Sequence, residues 1–513
     1  MKKNLVFSSN YNLIRFVSYL IIACCIFLFV VFGLLKWPGL YIDSSLYTTP
    51  ILNLAVGNGW LFDAYTFQLV TRDSNEYSFH GVLYPIIFGL LLKSTTYEKL
   101  FFWIAITNAL TFIVYIFLFY RTIETKNSAW SVLIATIFGI TSGAICLYLQ
   151  GRPEHLAPLL TSLPMLAREY SITRKYSRYF TYITLGLLFI LSPVVAIIYG
   201  MGTLFWVALN YKQRLLQELL LAGLISTGTI ISIIQVFCSF STLEWIHNVF
   251  LVGNGSIIPI DWWRLETSLK TIGFSLSTPA WNFFIIAIVF LILRTLWQRK
   301  LFIVFTIWLI LSYYLLPKVQ VYGYVGLFPL LLLMTVGKNQ GWIINISKTQ
   351  KQWISNASIM FSVLYFAVFI RLILLFILYW QHGVSFEKTA SNLREMISKS
   401  NQNGNSIAFY WMNIPSFIVF GKAGDSFVTA EPSIISQASD SLLNNYERKF
   451  SKKIIYIVLP QKGELSTPPQ TLNQGMFILV SDGWSKKRAS FMGVKLGGAM
   501  PGYQFALYKR TVN

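Results

Sequence analysis

Between residues 11 and 379 the chain returns again and again to apolar runs of ~20 residues, broken by short stretches where Lys and Arg collect. In lipid such a run can satisfy all its backbone groups only as a helix. The chain is 55% hydrophobic and only 12% charged, against about a quarter charged in a soluble domain. The sequence therefore predicts an α-helical polytopic membrane protein with about eleven transmembrane helices, the lipid bilayer being its surroundings. The net charge of +21 does not imply a nucleic-acid partner. Its basic residues sit in short loops between apolar runs, as the positive-inside rule requires, and no basic stripe belongs to a nucleic-acid module.

Charge and length together give a path. A first helix over 11–35 starts inside and is read as uncleaved, because Trp37-Pro-Gly-Leu-Tyr-Ile-Asp43 holds no small-residue cleavage pattern. An outer stretch, 36–80, follows. His80-Gly-Val-Leu-Tyr-Pro85 then opens a short apolar run, too short to span, read as a partial helix on the outer side. Spans are expected over 99–120, 130–150 and 156–166. The run 179–210 has inside-type charge at both ends, so it is split into two short helices that turn at Pro193. Another span covers 215–240 and leads to a long outer loop, 241–277. Later spans end with one over 355–379 that leaves the chain outside.

Beyond residue 381 the composition changes. Short β-type runs appear at 406–412, 416–420, 454–460, 475–481 and 505–510, with helix-like stretches at 386–399 and 434–450. The division is thus a membrane domain over 1–381 and a small extracytoplasmic α/β domain over 382–513. The second is basic overall, which suits either a solvated surface or lipid phosphates. All four cysteines, Cys24, Cys25, Cys146 and Cys238, lie within apolar segments, so neither a disulfide framework nor a cysteine metal site is expected.

This orientation gathers titratable and aromatic groups on the outer side: Asp43, Asp63, Asp73, Glu76, His80, Arg152, Glu154, His155, Asp261, Arg264, Lys318 and Tyr322. Acids and bases at the ends of membrane helices are costly to desolvate. A site for an anionic, lipid-linked substrate needs such a mixture, with a carboxylate to activate a nucleophile and cations to neutralise a departing phosphate. Asp43, among Tyr41, Ser44, Ser45 and Tyr47, has the setting of a general base; the same stretch also reads as a juxtamembrane loop with a solvated acid. Arg152 fits a phosphate contact or a helix-capping loop. Glu154 fits a second acid or a carboxylate stabilised at a helix N-terminus. Trp262 and Trp263 fit sugar stacking or interfacial anchoring. His80, His155 and His247 lack metal-ligand spacing.

Several of these residues carry a resemblance. Asp43 soon after the first helix, Tyr47, the Ala55-x-Gly57-x-Gly59 run, the His80-Gly-Val-Leu-Tyr-Pro85 opening, the turn at Pro193 and Tyr314-Leu-Leu-Pro-Lys318 before Pro329 together resemble the GT-C glycosyltransferases. Within these the chain looks closest to the protein-mannosyltransferase and aminoarabinose-transferase-like group. The resemblance implies an inverting transfer of a sugar from a polyprenyl-phosphate donor to an acceptor hydroxyl on a lipid, glycan or protein. Asp43 would be the base. Arg152, Lys318, Tyr322 and Arg264 would serve the donor phosphate and lipid. Tyr47, His80, Glu154, Trp262 and Trp263 would serve the sugar or acceptor. Two positions depart from the family's pattern: Ser44 stands where many members carry a second acid, and His80-Gly-Val-Leu replaces His-Pro-Pro-Leu. These leave a divalent metal ion open. A transporter or flippase, or a polymerase or ligase of lipid-linked saccharide, is the alternative. A bacterial inner membrane, with amino end cytoplasmic and C-terminal domain periplasmic, is the expected location.

Overall fold

A computed structural model of the chain describes residues 2–37, 45–60, 64–65, 77–78, 80–96, 99–123, 151–169, 176–253, 370–398, 406–410, 427–430, 444, 447–448, 453–461 and 465–511. The described part is mostly helical, with a sheet near the C-terminus. The helices in chain order are α1 (Lys2–Leu35), α2 (Ser45–Val56), α3 (Leu83–Lys93), α4 (Leu100–Ile123) and α5 (Ala157–Glu169). Then come α6 (Ser177–Leu191), α7 (Pro193–Asn210), α8 (Leu215–Phe237), α9 (Thr242–Gly253), α10 (Ile370–His382) and α11 (Phe386–Ser398).

The break expected at Pro193 is present. Ser192 leaves the helical region at φ −155°, ψ 107°, and Pro193 opens α7, where its missing N–H leaves no bond unmade. The partial helix expected after His80 is α3. The outer stretch 241–277 differs from expectation, since its start is the amphipathic helix α9. Its Trp245 is fully buried and donates its indole N–H to the His80 carbonyl at 2.9 Å. Among the described residues one helix, α8, is both long and apolar enough to cross a membrane. The count of eleven extends over segments outside the described residues.

The sheet has the strand order β1-β3-β2-β4-β9-β6-β5, with β1 (Ala64–Tyr65), β2 (Ser406–Tyr410), β3 (Phe427–Ala430), β4 (Ile454–Pro460), β5 (Thr471–Leu472), β6 (Phe477–Asp482) and β9 (Phe505–Arg510). β1, β3, β2 and β4 are mutually parallel, and β4, β9, β6 and β5 antiparallel. β7 (Arg488–Phe491) and β8 (Val494–Ala499) form a separate hairpin. Strands β2, β4, β6 and β9 fall within the runs read at 406–412, 454–460, 475–481 and 505–510, β6 being shifted to 477–482; 411–412 and 416–420 lie outside the described residues. The unexpected member is β1. It comes from the stretch 36–80 and pairs with β3 through Ala64↔Thr429 and Tyr65↔Ala430.

A second link fixes where that stretch begins. Lys36 follows α1 at φ +53°, and the Trp37 N–H reaches back to the Phe32 carbonyl at 3.3 Å, with the two rings in contact. This is a Schellman ending with Lys where Gly is usual. The last carbonyls of a helix have no partner within it. Here the Tyr379 hydroxyl donates to Leu35 O at 3.2 Å and the Tyr503 hydroxyl to Lys36 O. The Lys36 ammonium lies 2.9 Å from Glu387, and Trp37 stacks on Tyr379. The end of α1 is therefore held by groups from α10, α11 and the strand region.

Candidate functional site

The candidate site forms where α2, α3 and a 3-10 turn over Pro153–Leu156 meet. α2 lies against α3, and its Tyr47 is buried, with ring centres 5.8 Å from His80, 6.4 Å from Tyr77 and 5.9 Å from Tyr84. Tyr77 stacks on Trp60, its N–H donating to the Trp60 carbonyl at 2.8 Å. The chain thus leaves at Trp60, contributes β1 to the sheet and returns at Tyr77. The Trp60 indole N–H is bonded to Phe237 O at 2.8 Å, which pins the neck to the end of α8.

Gly81 explains why glycine follows His80. A Cβ there would sit 1.9 Å from the Leu191 carbonyl oxygen and 2.5 Å from its carbon. The backbone at 81 therefore lies directly against the C-terminal end of α6, and only a residue without Cβ fits.

Behind the aromatic group lies a buried ion pair. Arg152 donates through Nε to Glu154 Oε2 at 3.0 Å and through Nη2 to Oε1 at 3.2 Å, and the Ser192 hydroxyl donates to Oε1 at 3.2 Å. Both charged residues are buried. The break before Pro193, legible as a helix boundary, thus also supplies a partner for the carboxylate. A buried pair of this geometry is neutral as a unit, and most of its value appears when one member is removed.

His155 sits next to the pair. Its Nδ1 contacts the Arg152 carbonyl, which only accepts, so Nδ1 carries the proton and Nε2 holds the lone pair, 3.5 Å from Thr107 Oγ1. Its ring meets Tyr84 edge-on at 5.6 Å. Burial pulls its pKa down to about 4, against the Arg152 carbonyl and Glu154, which act to raise it. The imidazole is neutral at pH 7. The Tyr77 hydroxyl is pushed well above the ordinary phenol range, first by burial and then by Tyr47 and Glu154, with Arg152 opposing.

Of the residues singled out in the sequence, Tyr47, His80, Arg152 and Glu154 come together here. Asp43, Trp262, Trp263, Arg264, Lys318 and Tyr322 lie outside the described residues, as do Asp63, Asp73, Glu76 and Asp261. Sequence reasoning missed Tyr77, Tyr84 and Ser192 as members. Tyr84 stood in plain view inside the His80–Pro85 motif, whereas nothing local marks Tyr77 or Ser192. Arg152 was expected to meet a phosphate, and in the structure two of its donors meet Glu154 instead. Among the described residues no three His, Cys, Asp or Glu side chains converge as metal ligands. Glu154 is already bonded to Arg152 and Ser192, and His155 Nδ1 to a carbonyl, so this part of the site does not fit a divalent cation.

Chemically the described site is a buried aromatic cluster set against a closed ion pair. Its three phenols, Tyr47, Tyr77 and Tyr84, and two imidazoles, His80 and His155, are groups suited to ring stacking and hydroxyl recognition. Its carboxylate accepts hydrogen bonds from Arg152 and Ser192. No family model, curated protein or solved structure matches this chain.

Proposed function

We propose that the chain is an integral membrane glycosyltransferase of the GT-C type that moves a sugar from a polyprenyl-phosphate donor to an acceptor hydroxyl on the outer face of a membrane, with inversion. The observation that carries the reading is the convergence of Tyr47, His80, Arg152 and Glu154, drawn from stretches up to about a hundred residues apart, beside the first outer stretch. Burial of an ion pair and a histidine among aromatics at the ends of apolar helices is expensive, and a substrate site gives it a use.

The membrane setting is supported by where the apolar side chains point. On α8 Leu216, Leu220, Leu224 and Val236 are all exposed, as are Phe16, Tyr19, Phe27 and Leu34 on α1. Apolar side chains of this size turned outward along a helix suit an apolar surrounding.

In this reading Asp43, four residues before Tyr47 in sequence, takes the acceptor proton. The acceptor oxygen forms its bond to the anomeric carbon as the bond from that carbon to the phosphate oxygen breaks, and the polyprenyl phosphate leaves. Glu154 is a poor candidate for the base because its oxygens are engaged by Arg152 and Ser192. Its pairing keeps Arg152 oriented, and Lys318, Tyr322 and Arg264 are the further groups assigned to the phosphate side. Tyr47, His80 and the Trp262–Trp263 pair are assigned to the sugar and acceptor.

The test is transfer of label from radiolabelled polyprenyl-phosphate sugars in membranes carrying the wild type or Asp43→Asn at equal insertion. Label reaching an acceptor with the wild type alone is the expected result. Equal transfer by both would move the base elsewhere. Movement of lipid-linked sugar between leaflets without donor consumption would replace the transferase by a transporter.

A further inference from the structure

The β7–β8 hairpin forms a two-stranded sheet separate from the main one, and it lies along α10. Two contacts set its direction. Gly502 bridges to Val384, just past the end of α10, while Leu496 O accepts from Arg371 Nε at 2.6 Å, near its start. Leu378, Ala489 and Leu496 form a buried cluster with Leu374, Leu375, Phe491 and Met500 around it. From 502 to 496 the strand therefore runs back down the helix, about 3.3 Å per residue, and the turn at Met492-Gly493 continues that course. On the reading that α10 is the outer end of a span, the tip points at the bilayer.

The tip is built for that surface. Met492 is 90% exposed and Val494 62% exposed, beside the half-buried Phe491. Met492 and Gly493 have φ of +46° and +82°, a type I′ turn in which Asn, Asp or Gly is the usual first residue. A Met held in the left-handed region, with its side chain in the open, is a choice that local backbone preference does not explain. Behind it Lys487, Arg488 and Lys495 are exposed, and no acidic residue occurs between Gly483 and Asn513. Trp380, 68% exposed at the end of α10, sits where interfacial aromatics collect.

We propose that this hairpin is a membrane-docking element, with Met492 and Val494 entering the outer leaflet and Lys487 and Arg488, paired with Met500 and Ala499 at its other end, binding anionic lipid headgroups. The proposal rests on the membrane reading above and adds a lipid site outside the candidate active site. Docking there would hold the sheet, and through β1 the first outer stretch, at a set height over the bilayer.

The experiment uses the full chain with its native cysteines replaced by alanine, in nanodiscs of phosphatidylcholine with or without phosphatidylglycerol. An environment-sensitive dye is placed at Met492→Cys or, as a second position, Val494→Cys, with Leu224→Cys on α8 as the reference. Quenching by brominated lipid is compared with quenching by aqueous iodide. The expected result is lipid quenching and iodide shielding at both hairpin positions, stronger with phosphatidylglycerol. Lys487→Glu and Arg488→Glu should each weaken that lipid dependence, by about fivefold per positive charge lost. Lipid quenching at 224 with free iodide access at 492 and 494 would overturn the docking proposal alone. Absence of lipid quenching at 224 would overturn the membrane reading, and the proposal with it. Equal shielding in both lipid mixtures would overturn the headgroup assignment.

Discussion

The Arg152–Glu154 pair makes a prediction that separates a buried ion pair from an ordinary surface contact. Both side chains are almost fully buried, at 7% and 4% exposure, so solvent screening does little to reduce their interaction. Glu154→Gln leaves a guanidinium in the interior facing a neutral amide, and Arg152→Met leaves a buried carboxylate that keeps the Ser192 hydrogen bond but has lost its cation. Each single change should cost about 3–5 kcal/mol, because an uncompensated charge remains buried. The double variant Arg152→Met with Glu154→Gln removes both charges and should recover most of that loss. With an unfolding entropy of about 2.1 cal/mol/K per residue over 513 residues, one kcal/mol corresponds to a shift of ~1 °C if the chain unfolds as a unit. The singles should then melt about 3–5 °C below the wild type and the double within about 1–2 °C of it. Melting midpoints are read on detergent-purified full chain by the fraction remaining monodisperse after heating. Additive losses in the double variant would refute the argument, since they would mean that the two groups act independently.

Two further perturbations follow from the same region. Gly81→Ala should destabilise by at least about 1–3 kcal/mol, the usual cost of overpacking, because its Cβ would overlap the Leu191 carbonyl. Gly57→Ala, at φ +88° with open space around it, is the control and should cost only about 1 kcal/mol from backbone strain; equal melting of the two alanine variants would remove the role assigned to Gly81. For His155 the folded pKa of about 4 lies below the ordinary 6.5, so below pH 6.5 the unfolded chain binds the extra proton. Its neutral form therefore contributes fully above pH 6.5, and stability is lost as pH falls toward 4, by about 3 kcal/mol in all. His155→Gln should flatten the midpoint-against-pH curve between 6.5 and 4, and an unchanged slope would contradict the assignment.

How much was legible without coordinates depends on the range of the interaction involved. The extents of α4, α6, α7 and α8 follow from apolar length and from Pro193, both local. Strands β4, β6 and β9 were visible because β-branched and aromatic residues cluster within a few positions. The two-residue β1 carries no such signal. Its strand character comes from Thr429 and Ala430, more than 360 residues away. The helix α9 was read as loop because its helical period is short and the burial of its Trp245 depends on distant partners, the His80 carbonyl and the Phe189 ring.

The candidate site divides in the same way. Residue types at His80, Arg152 and Glu154 pointed to chemistry, since charged and imidazole groups between apolar runs are costly and need a reason. Their pairing did not follow from type. Arg152 could equally have faced a phosphate, and the structure instead turns two of its donors to Glu154, to which Ser192 also donates. The sequence by itself determined that helices would dominate, where many of them end, and which side chains had to be accounted for, because hydrophobicity and proline act over a few residues. Only the tertiary structure decided which of those side chains meet, that the first outer stretch joins the C-terminal sheet, and that the β7–β8 hairpin lies along α10. Those outcomes depend on contacts between residues tens to hundreds of positions apart, and no local pattern encodes a partner at that distance.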